Sequence, residues 1–417
     1  MPERLPQVVS DALMPNPPKN LGVAVSGGSD SLALLYLLQQ FCDENGVTLR
    51  AVTVNHGLRE EAAMEAELVA AQCAKIGVPH DTLLWEDWSG KGNLQKSARD
   101  ARYSKMAAWA GEHEIDTIAV GHTADDQAET VIMRLARRSG VDGLSGMQER
   151  MVRDGVTWVR PLLRTRRALL QKYLRAHDVS WITDPSNDDE RFDRIKARKA
   201  LSILSDLGIN EEVLLEVAEQ LGQARKALNW QTFLAAKQIM TQEAGAFVID
   251  ETSLRLHPEE IQRRLLIKAI SWLSGSGYAP RRSGISNLMK ALKEGQASTI
   301  DGCHLRRISN KIWLFRELKA VADLSCPPDE VWDNHWALRP PPAIDAGQSL
   351  QIRALGQEGL EQCPDWRATG LPHVVLQSTP AVWADTTVIA APFAGLGDWT
   401  AEPVAGPDAF FAALITH

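Results

Sequence analysis

Residues Val23–Leu38 read VAVSGGSDSLALLYLL. A short apolar run stops at Ser26-Gly27-Gly28-Ser29-Asp30-Ser31 and resumes as a longer apolar segment. That punctuation predicts strand, glycine-rich turn and helix, the local plan by which α/β proteins cradle phosphate. Neither of the two best-known cradles is present, since the stretch contains no GxxxxGK[ST] and no GxGxxG. Gly27 and Gly28 allow the backbone to approach a ligand closely, and Ser26, Ser29 and Ser31 add hydroxyl donors. Asp30 would repel a phosphate unless a cation stood between them, so its presence calls for Mg²⁺ bridging to phosphate oxygens. The plainer alternative is that Ser29 and Asp30 cap a helix after a tight turn.

Outward from this stretch, β-like runs alternate with helical patterns. Strands are predicted at Leu21–Val25, Leu49–Val54, His80–Trp85 and Asp116–Val120, and helices near Asp30–Glu44, Glu61–Ile76, Leu94–Glu112 and Asp125–Arg138. Such alternation implies βαβ units and a parallel sheet with helices on both faces. Ligands of these sheets bind at the carboxyl ends of the strands. Polar loops follow the strands as that rule requires. Asn55-His56-Gly57-Leu58-Arg59 comes after the second and Gly121-His122-Thr123-Ala124-Asp125-Asp126 after the fourth. Ser89-Gly90-Lys91-Gly92-Asn93 follows the third and leads to Gln95, Arg99 and Arg102.

Beyond Arg198 the pattern changes. Helices are expected at Asn210 to about Ala235, Pro258–Leu273 and Ser283–Lys293, and strand-like runs at Gln348–Ala354, His373–Leu376, Ala381–Trp383 and Thr387–Ala390. The expected organisation is an α/β catalytic domain at 1–205, a helical domain at 206–322 and a small β-rich domain at 330–417.

Composition is that of a soluble globular protein, 44% hydrophobic and 24% charged. A basic leader with an apolar core and an apolar run of membrane-spanning length are both lacking, so a cytoplasmic protein is expected. Cys42, Cys73, Cys303, Cys326 and Cys363 show no ligand-like spacing, which argues against a zinc ribbon, a cluster or a disulfide framework. Net charge is −8, yet Arg134–Ala200 holds 16 Lys/Arg against 9 Asp/Glu. A basic segment on an acidic chain supplies the local potential that nucleic-acid phosphates need, or is a solvated helix surface.

The SGG-x-DS loop after a strand resembles the pyrophosphate loop of the ATP pyrophosphatase (PP-loop) superfamily. Further stretches narrow the resemblance: Asn55-His56-Gly57-Leu58-Arg59, Asn93-Leu94-Gln95 with Ala98-Arg99, GHTADDQAET from Gly121 with Arg134-Leu135, and Gly143-Leu144-Ser145-Gly146-Met147. Arg160-Pro161-Leu162-Leu163 follows, then Trp181 and Asp184-Pro185-Ser186-Asn187-Asp188 with Phe192, Arg194 and Arg198. These ordered motifs, over about 180 residues, resemble the tRNA(Ile)-lysidine synthase family. One departure is Ile195, where family members usually carry Asn.

The resemblance implies attachment of L-lysine to the wobble cytidine of a CAU-anticodon tRNA(Ile), with ATP cleaved between its α- and β-phosphates. It implies that Ser26, Gly27, Gly28, Ser29, Asp30, Ser31, His56, Arg99 and Gly121 serve ATP and its pyrophosphate, with Asp30 the candidate Mg²⁺ ligand. Asp30, His122, Asp125 and Asp126 are the candidate catalytic residues. An incoming lysine is protonated in water, with a pKa of about 10.4, and Asp125 or Asp126 is the expected base or metal ligand. The same two aspartates also read as plain charge at a helix start.

Arg59, Arg102, Arg134, Asp184, Ser186, Asn187, Arg194 and Arg198 are the candidate substrate and tRNA contacts. The wider basic set of Arg137, Arg138, Arg164, Arg166, Arg167, Lys172, Lys196 and Lys199 is expected to steer anticodon-stem phosphates. The principal rival is a tRNA-thiolating enzyme of the same superfamily, which carries sulfur on cysteines.

Overall fold

The structure, a computed structural model, describes residues 5–55, 61–85, 94–182, 193–342, 349–406 and 408–415. The chain divides into two compact units, Met1–Arg225 and Lys226–Thr416.

The first unit runs α1 (Leu5–Leu13), β1 (Asn20–Ala24), α2 (Ser29–Asn45), β2 (Thr48–Asn55), α3 (Glu61–Lys75), β3 (His80–Leu84), α4 (Leu94–Glu112), β4 (Thr117–Val120) and α5 (Ala124–Ala136). It continues with α6 (Val141–Leu144), β5 (Arg150–Arg153), β6 (Val156–Val159), α7 (Arg167–Ala176), α8 (Asp193–Ser205) and α9 (Glu211–Ile239), within which the division falls. The strands form one sheet in the order β3-β2-β1-β4-β6-β5, parallel throughout except for β5 against β6.

Side chains alternate across this sheet and bury it on both sides. Leu21, Val23, Leu49, Ala51 and Ala119 share one core with α1, α2 and α7. Val52, Ile118, Val120, Val156 and Trp158 share the other with Tyr103, Met106 and Trp109 of α4. Helix α2 explains the long apolar run of the opening stretch. Its Leu32, Leu34, Leu35, Leu37 and Leu38 are all buried, at about 2 kcal/mol of transfer free energy apiece. Gly46 ends it in the left-handed conformation at φ 67°, where glycine meets no Cβ penalty.

Strand order reverses between β1 and β4, because the chain leaves β1 toward β2 and β3 and returns on its other side at β4. A doubly wound sheet opens a crevice at the carboxyl ends of such a pair. Both SGGSDS and GHTADD emerge there.

The second unit is richer in strand than its helical periodicity predicts. Helices Glu259–Ser274 and Arg282–Glu294 match expectation, and they pack on a five-stranded antiparallel sheet. Its strands are Met240–Glu243, Ala246–Asp250, Lys311–Arg316, Cys303–Ile308 and Ser298–Ile300, in spatial order. Ser325–Cys326, Leu350–Ala354, Pro380–Ala384 and Thr387–Ala390 form a four-stranded sheet, and Trp336–Arg339 pairs with Thr400–Pro403. The strand expected at His373–Leu376 is a short helix. Its β-branched pair suggested a strand, but Pro372 opens a helical turn and Val375 and Leu376 reach the core from it.

Candidate active site

The β1–α2 loop is shaped by its own serines and by one glycine. Gly27 has φ 82°, and a Cβ there would stand 2.4 Å from Ile182 Cδ1. Ile182 donates its N–H to the Gly27 carbonyl at 2.9 Å. Ser31 Oγ donates to the Gly28 carbonyl, accepts from the Ser26 N–H, and lies 3.2 Å from Ser26 Oγ. Gly28 caps α2 in extended geometry without a side-chain cap hydrogen bond.

The β4–α5 loop is built differently. Thr123 and Asp126 form a capping box: the Asp126 carboxylate accepts from the Thr123 N–H at 3.0 Å and from its hydroxyl at 2.9 Å. Gly121 lets the two loops meet. A Cβ at Gly121 would stand 3.0 Å from the Asp30 carbonyl oxygen and from Ser31 Cα and N. Its glycine is required by loop contact, not by an unusual φ.

Charged groups converge on this seam. Asp30 Oδ1 accepts from Ser29 Oγ at 2.9 Å, and Oδ2 accepts from Arg167 Nε at 2.8 Å. Arg167 Nη2 lies 3.5 Å from Asp126 Oδ2, and Arg194 Nη1 donates to Asp126 Oδ1 at 3.1 Å. Burial raises the Asp126 carboxyl, but Arg194 and Arg167 outweigh it and hold the group below the usual range. At Asp30 burial wins over Arg167, and the carboxyl is raised.

His122 is neutral. Burial, with Arg160 next to it, pushes its pKa down to about 3. Arg160 Nε donates to His122 Nδ1 at 3.2 Å, which leaves the ring proton on Nε2. Arg160 is itself buried and donates to the Gln148 carbonyl.

Residues 2–204 match the model of the PP-loop domain family. A tRNA(Ile)-lysidine synthase of Ruegeria pomeroyi is 46% identical over 96% of this chain and 95% of its own length. One from Wolbachia pipientis is 32% identical over 89% of this chain and 88% of its own, and one from Zymomonas mobilis 38% over 66% and 82%. The chain belongs to the tRNA(Ile)-lysidine synthase family. It is therefore an ATP-dependent tRNA-modifying ligase.

Several residues singled out in the sequence also make structural contacts. Asp125 Oδ2 accepts the backbone N–H of Arg167 at 2.8 Å, so it holds the start of α7. Arg134 donates to the carbonyls of Gly143 and Gly146, both at 2.8 Å, and braces the Gly143–Met147 loop. Arg194 and Arg198, one turn apart on α8, pair with Asp126 and Glu129 on α5, which ties the two helices together. Ile195 between them is buried. Arg99 and Arg102 are exposed on α4, and Arg99, like Arg194, adds its charge to the surroundings of Arg102 and His122. His56, Arg59, Asp184, Ser186 and Asn187 lie outside the described residues.

The basic segment is largely neutralised within its own unit. Arg137 pairs with Asp193, Arg164 with Glu149 and Glu219, and Arg166 with Glu212. Lys172, Lys196 and Lys199 are exposed.

Glu129 is the site residue that sequence reasoning passed over. Arg198 Nε and Nη2 both donate to its Oε1, while Oε2 is buried without a hydrogen-bond partner among the described residues. Burial raises its carboxyl. The available signal was spacing, because Asp126/Glu129 at i,i+3 face Arg194/Arg198 at i,i+4. Thiolation finds no support in the first unit's cysteines. Cys42 and Cys73 are buried in the core, and burial raises their thiols to about 12 and about 11.

Proposed function

We propose that this chain joins L-lysine to C2 of the wobble cytidine in a CAU-anticodon tRNA(Ile), by way of an adenylated cytidine. The cytosine 2-oxo group attacks the α-phosphate of ATP, and the α–β bond breaks to release pyrophosphate. The lysine ε-amine then attacks C2, and the C2–O bond breaks as AMP leaves. The observation that carries this reading is the meeting of the phosphate loop and the α5 carboxylates across Gly121, at the carboxyl ends of β1 and β4.

The roles follow from chemistry on both sides of that seam. The uncapped start of α2 and the loop hydroxyls suit the departing pyrophosphate. Neutral His122 offers an Nε2–H donor, suited to oxygen that gains charge as the adenylate forms. Asp126, kept anionic by two arginines, suits the binding of an ammonium group. Glu129, whose carboxyl is raised and whose Oε2 lacks a partner, is the better acceptor for the proton that lysine must lose. The base assignment thus moves from Asp125 or Asp126 to Glu129. The part of the chain at 206–322, with exposed lysines of the first unit, would hold the RNA.

Mg²⁺ was expected at Asp30 to relieve its repulsion of phosphate. Among the described residues no group of three or more His, Cys, Asp or Glu could hold a metal by itself, so an ion at Asp30 would be shared with ATP phosphate oxygens, with Arg167 beside it. No step is assigned to it.

The test is incubation with ATP, labelled lysine and an unmodified CAU-anticodon tRNA(Ile) transcript. Lysine entering the RNA, with AMP and pyrophosphate formed, is the expected result. AMP formed without RNA, or sulfur entering in place of lysine, would overturn it.

A further inference from the structure

We propose that Arg167 is a positioning residue shared by the two ends of the site. One guanidinium keeps Asp30, in the phosphate loop, and Asp126, at the lysine end, in fixed register. This rests on the reading above, in which phosphates meet the β1–α2 loop and lysine meets the α5 carboxylates.

Arg167 makes contacts with three acids on two loops. Its backbone N–H is held by Asp125 Oδ2 at 2.8 Å, which fixes where the side chain begins. Its Nε then reaches Asp30 Oδ2 at 2.8 Å, and its Nη2 stands 3.5 Å from Asp126 Oδ2. The neighbouring Arg164 and Arg166 pair with Glu149, Glu219 and Glu212 instead. Of these three arginines, Arg167 alone turns to the site, and its side chain is 24% exposed.

A planar fork can address two carboxylates with different nitrogens, which a single ammonium cannot do. Without that fork, Asp30 and Asp126 would act on each other as like charges. Asp126 would keep Arg194, whereas Asp30 would keep only Ser29 among these contacts. Both would then lose their relative placement. A displacement of about 1 Å in such a site can cost on the order of a hundredfold in rate.

The test compares Arg167→Gln and Arg167→Lys in the full-length protein. One assay follows tRNA-dependent exchange of labelled pyrophosphate into ATP with lysine omitted. The other follows lysine transfer to preformed adenylated tRNA as a function of lysine concentration. In R167Q both KM for ATP and KM for lysine should rise about tenfold or more, with tRNA affinity near wild type and the protein still folded at the assay temperature. R167K should recover much of the exchange reaction, since a cation again stands by Asp30, but not the lysine KM. If either half-reaction is unchanged in R167Q, or R167K restores both, the shared role is wrong. Should R167Q fail to fold, the split between the two KM values in R167K decides the matter. A wild-type protein that incorporates no lysine would instead overturn the underlying reading.

Discussion

Glu129 receives both donors of Arg198 on a single oxygen, Oε1, at 3.0 and 2.8 Å, while its other oxygen stays buried and unpartnered. A carboxylate built only to tie α5 to α8 would share its oxygens between the two guanidinium nitrogens. The one-sided pairing leaves an acceptor for a second cation, and lysine's ammonium has that chemistry. Glu129→Gln should lower lysine transfer at least about tenfold while pyrophosphate exchange survives. Equal loss in the two half-reactions would remove Glu129 from the lysine step.

Arg198→Met asks the complementary question about stability. It leaves the Glu129 carboxylate buried without its cation, and breaking a buried pair from one side costs about 3–5 kcal/mol. Arg198 is 44% exposed, so its loss should fall below that range, near 2 kcal/mol by denaturant unfolding. The double variant carrying Glu129→Gln as well should recover most of the loss. Additive effects would show that the pair is not coupled.

Histidine 122 sets a pH dependence whose sign can be worked out. Its folded pKa lies near 3, against 6.5 when unperturbed, so below 6.5 the unfolded chain binds the extra proton. The contribution to stability is complete above about pH 6.5 and is lost as pH falls toward 3. His122→Gln keeps a hydrogen-bonding side chain but cannot titrate. The melting temperature of wild type should therefore fall more steeply between pH 6.5 and 4.5 than that of the variant. Parallel curves would refute a neutral histidine.

The phosphate loop offers a contrast between two glycines. At Gly121 a methyl group would meet the Asp30 and Ser31 backbones at 3.0 Å, so Gly121→Ala should force the loops apart. Overpacking of this kind typically costs about 1–3 kcal/mol. At Gly28 the nearest atom to a Cβ is Ser26 Oγ at 3.9 Å, and φ is −74°. Gly28→Ala should therefore fold normally. If it still raises the KM for ATP, the space it fills belongs to the nucleotide. If both folding and KM are unchanged, the nucleotide does not approach Gly28.

The α/β half of the fold was legible because its signals are local. Short strands, glycine turns and apolar helices follow one another within a few dozen residues, and helix α4 begins and ends where periodicity places it. In the second unit the strands Leu350–Ala354, Pro380–Ala384 and Thr387–Ala390 were legible too, whereas the five-stranded sheet was not, because Met240–Glu243 and Ser298–Ile300 are too short to show alternation. In the site, the phosphate loop and the GHTADD loop could be read from their residues. The pairings of Arg167 with Asp30, 137 residues apart, and of Arg198 with Glu129, 69 apart, could not. Such pairs are decided by which helices pack together. Charge counting therefore overestimated the basic surface, since acids that neutralise it lie far away in sequence.

That neutralisation changes what is expected of RNA binding. Contacts to phosphate release about 0.7–0.9 counterions each, which sets the slope of affinity against salt. Arg137, Arg164 and Arg166 are engaged with Asp193, Glu149 and Glu212, whereas Lys172 and Lys196 are exposed. Lys172→Gln and Lys196→Gln combined should weaken binding of the tRNA transcript and flatten the slope by about 1.5. Neutralising Arg137, Arg164 and Arg166 together should change it by less than 1. Filter binding between 50 and 200 mM salt separates the two sets. A larger change from the arginines would mean that their ion pairs open when RNA arrives.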